Sequence, residues 1–320
     1  MSLILIDKPE GPTSHAVVSV IKRILGAEKV GHLGTLDPFA SGLLPVLVGN
    51  TARLADEAMD GEKGYLFSIE LGRETDTLDP TGRVVAEAPL PSRLSEDIIE
   101  GILASFRGRI EQTPPVYSAL KMNGMPLYEH MRATGRLPMD IESKRRSVMI
   151  HSLALVSFSP NSLCLRVVCS KGTYIRSLAR DIGKALNSVG ICKTLRREWV
   201  EPWHVDSAFK IALDPTGRIA PPGKDHILEA SLPAWKVAPK IPRAVLGIEQ
   251  KKRFLSGNTI DVFQADLTWE TEITDSSMSQ SSVQEHPKKA LIQCDDVQFL
   301  CEIAATGHGQ TKIQPRKRIH

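Results

Sequence analysis

The fold is decided most clearly by residues 162–186, SLCLRVVCSKGTYIRSLARDIGKAL, in which a strand pattern gives way to a helix pattern. The first eight residues predict a strand, and Thr173 is the expected N-cap of the helix that follows. One face of that helix carries the apolar stripe Ile175, Leu178, Ala179, Ile182, Ala185 and Leu186. This spacing predicts a helix that packs on a core. Tyr174 and Arg176 lie outside the stripe, so neither is needed to fill the core.

Strands and helices flank this segment without strict alternation. Further strands are predicted at Lys63–Leu71 and Ser147–Phe158, and helices at His15–Leu25 (capped by Ser14) and from Ser95 to Phe106. Such an order is typical of an α+β fold. We therefore expect a mixed, largely antiparallel sheet flanked by helices.

Composition excludes several classes of protein. The chain has 320 residues, 24% of them charged and 42% hydrophobic, which is enough for two domains of roughly 150 residues each. It lacks an apolar run of the ~20 residues that a membrane span needs, so we expect no membrane association. The cysteines number five and form no C-x-x-C pair, which favours a reduced, cytoplasmic protein. A net charge of +3 permits a polyanionic partner but does not indicate one.

Familiar cofactor and metal motifs are missing from the sequence. It contains no P-loop, no G-x-G-x-x-G, no H-E-x-x-H and no G-x-S-x-G. His204 and Asp206 have no third ligand nearby, and a solvated turn explains them better than a metal site. We therefore expect no metal and no cofactor, with any chemistry carried by protein side chains.

Residues 29–45, KVGHLGTLDPFASGLLP, are the densest candidate for a functional site. The glycines and prolines predict an irregular loop over Gly31–Gly49. His32 and Asp37 are the ionisable groups at its centre, and Pro38 favours an extended backbone at Asp37. Two interpretations remain open for Asp37: a side chain that stabilises a turn, or a catalytic carboxylate.

A second candidate is the turn before the strong helix. Arg176 lies early in that helix, where a positive charge opposes the macrodipole, so an anionic partner would explain it. A surface arginine is the alternative. Tyr65 opens the Lys63–Leu71 strand, where a tyrosine is also explained by packing.

Four motifs occur in an order that carries a family resemblance. They are DKPEGPTSH (7–15), VGHLGTLDP (30–38), PPVYSALKMNG (114–124) and CSKGTYIR (169–176). From about Leu3 to Arg197 the chain resembles the TruB-type tRNA pseudouridine synthases. The resemblance implies a pseudouridine-synthase fold and, more weakly, a small C-terminal β-rich, PUA-like RNA-binding domain.

The resemblance also implies an activity and its catalytic residues. These enzymes isomerise uridine 55 in the tRNA T-loop to pseudouridine. Asp37 matches the catalytic aspartate, which attacks either the sugar C1′ or the base C6. Arg176 matches its arginine partner, and an adjacent arginine typically lowers an aspartate pKa by about 1 to 3 units. Tyr65 matches the tyrosine that stacks on the base and is a candidate for moving the C5 proton.

Other residues match positions around the substrate. His32 matches the histidine that fills the space left by the flipped-out uridine. Tyr174 and Leu195 match residues that line the uridine pocket, while Lys8 and Pro9 match a motif that supports the site. Residues 121–146 resemble an RNA-gripping insertion, although a solvated basic face is the alternative. Its candidate RNA contacts are Lys121, Arg132, Arg145 and Arg146.

We expect a catalytic domain over residues 1–240 and a PUA-like domain over 241–320. The second begins with a helix predicted at Arg243–Leu255, and its Ser- and Gln-rich stretch 270–289 is predicted to be a mobile loop.

Two rival functions are compatible with these motifs. One is the guide-RNA-dependent synthase of ribosomal RNA, which works in a multi-protein particle. The other is an RNA-binding factor that refolds tRNA, with chemistry secondary. The short leader before the first motif and the briefly basic tail favour a stand-alone enzyme with no obligate protein partner. The joint presence of Asp37, Tyr65 and Arg176 argues against a purely non-catalytic module.

Overall fold

The computed structural model describes most of the chain. The described residues are 2–58, 61–118, 121–122, 125–126, 144–238, 241, 243–246, 248–256, 258–263, 268–270, 289–294, 297–307 and 310–319.

Helices and strands alternate irregularly along the described ranges. The helices are α1 (Ser14–Leu25), α2 (Ala55–Ala58), α3 (Glu96–Ala104), α4 (Ile175–Ala185), α5 (Lys224–Glu229) and α6 (Ile248–Leu255). The strands are β1 (Ser2–Lys8), β2 (Val30–His32), β3 (Ser41–Val48), β4 (Lys63–Leu71), β5 (Arg73–Thr75), β6 (Val84–Glu87), β7 (Gly108–Gln112), β8 (Lys121–Met122), β9 (Met125–Pro126), β10 (Arg146–Ser159), β11 (Ser162–Cys169), β12 (Gly190–Val200), β13 (Trp203–His204), β14 (Phe209–Lys210), β15 (Ser231–Pro233), β16 (Arg243–Val245), β17 (Ile260–Phe263), β18 (Thr268–Glu270), β19 (Lys289–Cys294), β20 (Val297–Gly307) and β21 (Gln310–Arg318).

The larger sheet confirms the expected mixed, largely antiparallel architecture. Its order is β14-β1-β3-β12-β4-β11-β10-β7, with β2, β13 and β15 beside β3, β12 and β1. Parallel pairing joins β1 to β14 and β3 to β12. The remaining neighbours in this order pair antiparallel. Helices α1, α3 and α4 contribute Val17, Ile99 and Leu178 to the hydrophobic core against this sheet.

Strand β4 is central to the sheet and shows why its sequence forms a strand there. Tyr65, Phe67 and Ile69 are buried on one face, with partly exposed residues between them. Gly64 is required because a Cβ at this position would overlap the indole of Trp199. Gly42 on β3 has φ +105°, and a Cβ there would overlap the backbone of Arg197. These two glycines allow β3, β4 and β12 to approach closely.

A second, six-stranded sheet lies in the described C-terminal residues. Its order is β17-β21-β20-β19-β16-β18, and its core includes Phe254, Ile292 and Ile313. This confirms the expected β-rich, PUA-like C-terminal part. A further cluster packs Leu300 and Ile319 with residues of the larger sheet such as Leu3.

The predicted helix at Arg243–Leu255 is wrong in its first half. Arg243–Val245 forms β16, which pairs with β18 and β19, and the helix begins only at Ile248. Pairing with distant strands overrides the local pattern here. Of the predicted mobile loop, residues 271–288 lie outside the described part of the chain.

Two predicted N-caps are also wrong. Thr13, not Ser14, caps α1: its Oγ1 accepts a hydrogen bond from the Ala16 N–H at 3.0 Å. The N-cap of α4 is Tyr174, which has no side-chain capping bond, while Thr173 donates to the Ser170 carbonyl. Ala185 is exposed and does not belong to the buried stripe.

The stretch Gly31–Gly49 is more regular than predicted. It holds β3 and most of β2, so that residues 33–40 form the connection between them. These two strands anchor both ends of the segment that carries Asp37.

Candidate active site

The segment around Asp37 is held by buried polar side chains of β1 and α1. Lys8, fully buried, donates from Nζ to the carbonyls of Pro9 and Pro12 at 2.8 Å each and of Pro38 at 3.4 Å. Ser14 Oγ accepts from the Leu36 N–H and donates to the Leu36 carbonyl, both at 2.8 Å. The residues directly before and after Asp37 are therefore fixed.

Arg176 from α4 meets the Asp37 carboxylate with two nitrogens. Its Nε lies 2.8 Å from Oδ2, and its Nη2 donates to Oδ1 at 3.2 Å. The Arg176 side chain is 4% exposed and that of Asp37 is 33% exposed. The predicted pair therefore forms across 139 residues of sequence, and its carboxylate keeps an open side.

Further acceptors hold the Arg176 guanidinium in place. It donates to the carbonyls of Thr77 at 2.7 Å and Tyr117 at 2.9 Å, and its Nη1 lies 3.6 Å from Asp79 Oδ2. Asp79 is itself held by the hydroxyls of Thr77 and Thr81 at 2.7 and 2.6 Å. Asp79 was not predicted as a site residue, because Asp79-Pro-Thr-Gly is also an ordinary turn motif.

The electrostatics at Asp37 differ from the expectation. Burial raises the pKa of the Asp37 carboxyl above its ordinary 3.8, although Arg176 acts in the opposite direction. The nearby Asp79 charge adds to the increase. Burial also lowers the pKa of Lys8 to about 8. The arginine therefore limits the increase in the pKa of Asp37 and does not reverse it.

A cavity of about 310 Å³ opens beside the Asp37–Arg176 pair. It is lined by the predicted residues Asp37, Tyr65, Tyr174, Arg176 and Leu195. They come from the β2–β3 connection, β4, the start of α4, and β12, four regions that only the fold brings together. Lys63, Ser118, Arg146 and Arg197 also line it.

Tyr174 is held through its backbone. Gln112, 1% exposed at the end of β7, accepts from the Tyr174 N–H at 2.8 Å and donates to the Tyr174 carbonyl at 3.0 Å. The Arg146 guanidinium lies 4.4 Å from the centre of the Tyr174 ring, and Arg146 also donates to the Gly172 carbonyl. Gln112 was not predicted, since no local sequence pattern shows that a strand glutamine is buried and bonded to the backbone of Tyr174.

His32 lies on β2 opposite Val46 and is not among the residues that line the cavity. Burial lowers the pKa of His32, and its Nδ1 is buried without a hydrogen bond to any described residue. A neutral imidazole is therefore the expected form at neutral pH.

Comparison with known proteins identifies the family. Residues 22–175 match the model of the TruB family pseudouridylate synthase (N terminal domain). The tRNA pseudouridine synthase B of Azoarcus sp. (strain BH72) is 41% identical over 257 residues, 78% of this chain and 83% of that protein. The chain belongs to the TruB family of pseudouridine synthases. It is thus an enzyme, as the motif resemblance predicted.

Two further proteins are similar to this chain, one in sequence and one in fold. The tRNA pseudouridine synthase B of Aromatoleum aromaticum is 44% identical over 209 residues, 65% of this chain and 66% of that protein. The solved Cbf5-Nop10-Gar1 complex contains a chain with a TM-score of 0.66 and 22% identity; the match covers all of this chain and 85% of that one. This likeness shows the shared fold.

The predicted RNA contacts of this TruB-family chain are only partly described. Arg145 is exposed and borders a surface depression with Arg180 and Lys184, and Arg146 lines the cavity. Lys121 lies on the two-residue strand β8. Arg132 lies outside the described residues. The RNA-gripping role of residues 121–146 stays a prediction.

The described residues contain neither a metal-ligand cluster nor a membrane-spanning helix. No group of three or more His, Cys, Asp or Glu side chains in these residues is placed to hold a metal ion. Among the described helices, none combines the length and apolarity needed to cross a bilayer.

Proposed function

We propose that this TruB-family enzyme converts uridine 55 in the T-loop of tRNA to pseudouridine, with Asp37 as the nucleophile. The observation that carries the proposal is the Asp37–Arg176 pair, which has a carboxylate edge open to a cavity shared with Tyr65. The relatives named tRNA pseudouridine synthase B support tRNA as the substrate.

The geometry suits an isomerisation that needs only side chains. Asp37 attacks either C1′ of the ribose or C6 of the base; on either route the base is detached, rotated and rejoined through C5. The C5 proton is lost and N1 gains one, so the product has the same atoms as the substrate. Arg176 orients the carboxylate and favours its ionised form, which is the nucleophilic one.

The cavity requires the target base to leave its stack. A nucleotide within a folded loop hides its C5 and C6 atoms, and extrusion costs a few kcal/mol. Tyr65, Tyr174 and Leu195 line the cavity and supply flat or apolar surface against the uracil ring. His32, on β2 beside the Asp37 segment, is assigned to the space that the base vacates. Lys8 and Pro9 are assigned to supporting the Asp37 segment, through the hydrogen bonds of Lys8 to the Pro9 and Pro38 carbonyls.

Recognition of the T-loop is assigned to the shape of the RNA and to basic side chains. Arg145 and Arg146 stand near the cavity and the adjoining depression. Folded RNA is read mainly through its shape, its phosphates and its unstacked bases. We assign residues 1–240 to catalysis and 241–320, with the six-stranded sheet, to additional RNA contact.

The purified chain alone, given a T-loop hairpin transcribed with 5-tritiated uridine, tests this function. We expect tritium release from this hairpin, and none from the same hairpin when the position equivalent to 55 is cytidine. A matched hairpin of the same composition but scrambled loop is the control. Equal release from the scrambled loop, or none unless a guide RNA and protein partners are added, would contradict the proposal.

A further inference from the structure

Arg197, near the end of β12, is an arginine inside the protein rather than on its surface. Its side chain is 1% exposed, and it is among the largest fully buried side chains of the described residues. Nε donates to the Leu43 carbonyl at 2.7 Å and Nη2 to the Gly34 carbonyl at 2.9 Å. No carboxylate of the described residues forms an ion pair with it. A buried cation without a paired anion is costly, so its charge calls for a function.

The sheet places Arg197 directly opposite Tyr65. The two residues are register partners in the antiparallel pair β12–β4, so their side chains stand on the same face. Both line the cavity beside Asp37, and Tyr65 is 7% exposed. The neighbouring Arg196 points to the other face, where it pairs with Asp7 at 2.9 and 3.0 Å.

We propose that Arg197 is the positioning residue for Tyr65. It holds the phenolic oxygen of Tyr65 where that oxygen can take the proton from C5 of the bound base. An arginine can only donate, so Tyr65 Oη accepts from the guanidinium and its own O–H is directed elsewhere. This inference rests on the proposed function, since it assigns the partner of a side chain that the reaction uses.

The electrostatics support the pairing. Burial raises the pKa of the Tyr65 phenol, and the Arg197 charge and hydrogen bond oppose that increase. The other titratable groups that face Tyr65 are Cys169 from β11 and Asp37, both of which raise the pKa further. Lys63, two residues before it on β4, also lines the cavity. Of Arg197, Cys169 and Asp37, only Arg197 lowers the Tyr65 pKa and so favours the phenolate.

Tyr65 carries both proton transfers of the reaction, at C5 and at N1. Once the base is joined through C5, the Tyr65 phenol gives its proton to N1, and the resulting phenolate takes the C5 proton. The electrons of the C5–H bond form the C5=C6 double bond, and the C6=N1 electrons become the lone pair of N1. Tyr65 returns to its starting state, and no other reactant is consumed.

Arg197 also anchors the Asp37 segment through Gly34 and Leu43, so a slower variant alone would not show action through Tyr65. The two roles affect different steps. Loss of the anchor slows the Asp37-dependent detachment of the base, whereas loss of the Tyr65 contact slows the removal of the C5 proton. Deuterium at C5 slows only the second step.

The test compares single-turnover rates on tRNA transcribed with 5-deuterated or ordinary uridine. For Arg197→Met we expect a rate about tenfold lower or more, with a larger deuterium effect than in the wild type. The affinity for tRNA should be unchanged, because Arg197 is buried. Arg196→Met, on the opposite face of the same strand, should show neither change.

Arg197→Lys keeps the inference testable if the methionine variant does not fold. Lysine retains the charge but cannot reach all three acceptors, so it too should increase the deuterium effect. A slower reaction without an increased deuterium effect, or wild-type kinetics in both Arg197 variants, would overturn the inference. If Asp37→Asn keeps its turnover in the same assay, the proposed function itself is wrong.

Discussion

Burial and ion pairing shift the pKa of the Asp37 carboxyl in opposite directions. Removing a carboxylate from water raises its pKa, and the Arg176 guanidinium lowers it, with burial the larger cause. Sequence resemblance could predict the pair, because both residues lie in motifs. It could not predict the sign of the net shift, since burial depends on the residues that the fold packs around the carboxylate.

At the scale of single residues, Arg176→Ala should lose turnover far more than affinity. The change removes the group that orients Asp37 and favours its charge, so we expect a single-turnover rate lower by about 10²-fold. Because the influence that lowers the Asp37 pKa is lost, the acid limb of the pH–rate profile should move to higher pH. Single-turnover rates across pH, together with filter-binding affinities, measure both effects.

Arg180→Ala is the matched control, since Arg180 lies one turn further along α4 and pairs with Asp181 at 2.8 Å. It should leave the acid limb in place. Weak binding by Arg176→Ala with a normal single-turnover rate would contradict the pairing role.

Among the elements, the start of α1 shows that two neighbouring hydroxyl side chains stabilise different parts of the structure. Thr13 caps the helix, and Ser14 holds the backbone of Leu36 from a buried position. The sequence predicted the helix and its last residue Leu25, and the structure caps it with Gly26 at φ +60°. The sequence did not show which hydroxyl caps the helix, because the hydrogen-bond partner of Ser14 lies 22 residues away.

Replacing these two hydroxyls one at a time should separate stability from turnover. Ser14→Ala leaves the N–H and carbonyl of Leu36 unpartnered in a buried place, which costs about 1–3 kcal/mol. It should also slow turnover by loosening the Asp37 segment. Thr13→Ala removes a cap worth about 1 kcal/mol and should leave turnover unchanged. Urea unfolding and single-turnover rates check this; equal turnover losses in both variants would contradict it.

The elements also show where sequence patterns stop being informative. The strand Ser162–Cys169 matches its prediction residue for residue, since its pattern and its burial agree. Arg243–Val245 resembled a helix because only long-range pairing makes it a strand. Gln112 and Arg197 were missed for a related reason: a polar side chain on a strand is normally solvated, and only the assembled sheet shows these two to be buried.

At the scale of the whole molecule, the fold gathers the site from segments far apart in the chain. The larger sheet brings the Asp37 segment, Tyr65 and Leu195 together, and α4 packs Arg176 against them. A net charge of +3 over 320 residues does not reveal this, because what matters is where the basic side chains stand.

Binding of tRNA should therefore weaken steeply with salt despite the small net charge. Contacts between basic side chains and phosphates release counterions, so log K falls linearly with log salt, by about 0.7–0.9 for each phosphate neutralised. Arg145→Ala removes an exposed charge at the surface depression and should reduce that slope by about one. Filter binding at several salt concentrations measures it. A flat titration for the wild type would contradict the assigned RNA surface.

Single-turnover release of tritium from 5-tritiated uridine in tRNA by Asp37→Asn tests whether Asp37 is the nucleophile. Asparagine keeps the size of the side chain but lacks the charge and nucleophilicity of the carboxylate. We predict no release above background, with tRNA affinity close to that of the wild type. Release at the wild-type rate would show that Asp37 is not the nucleophile.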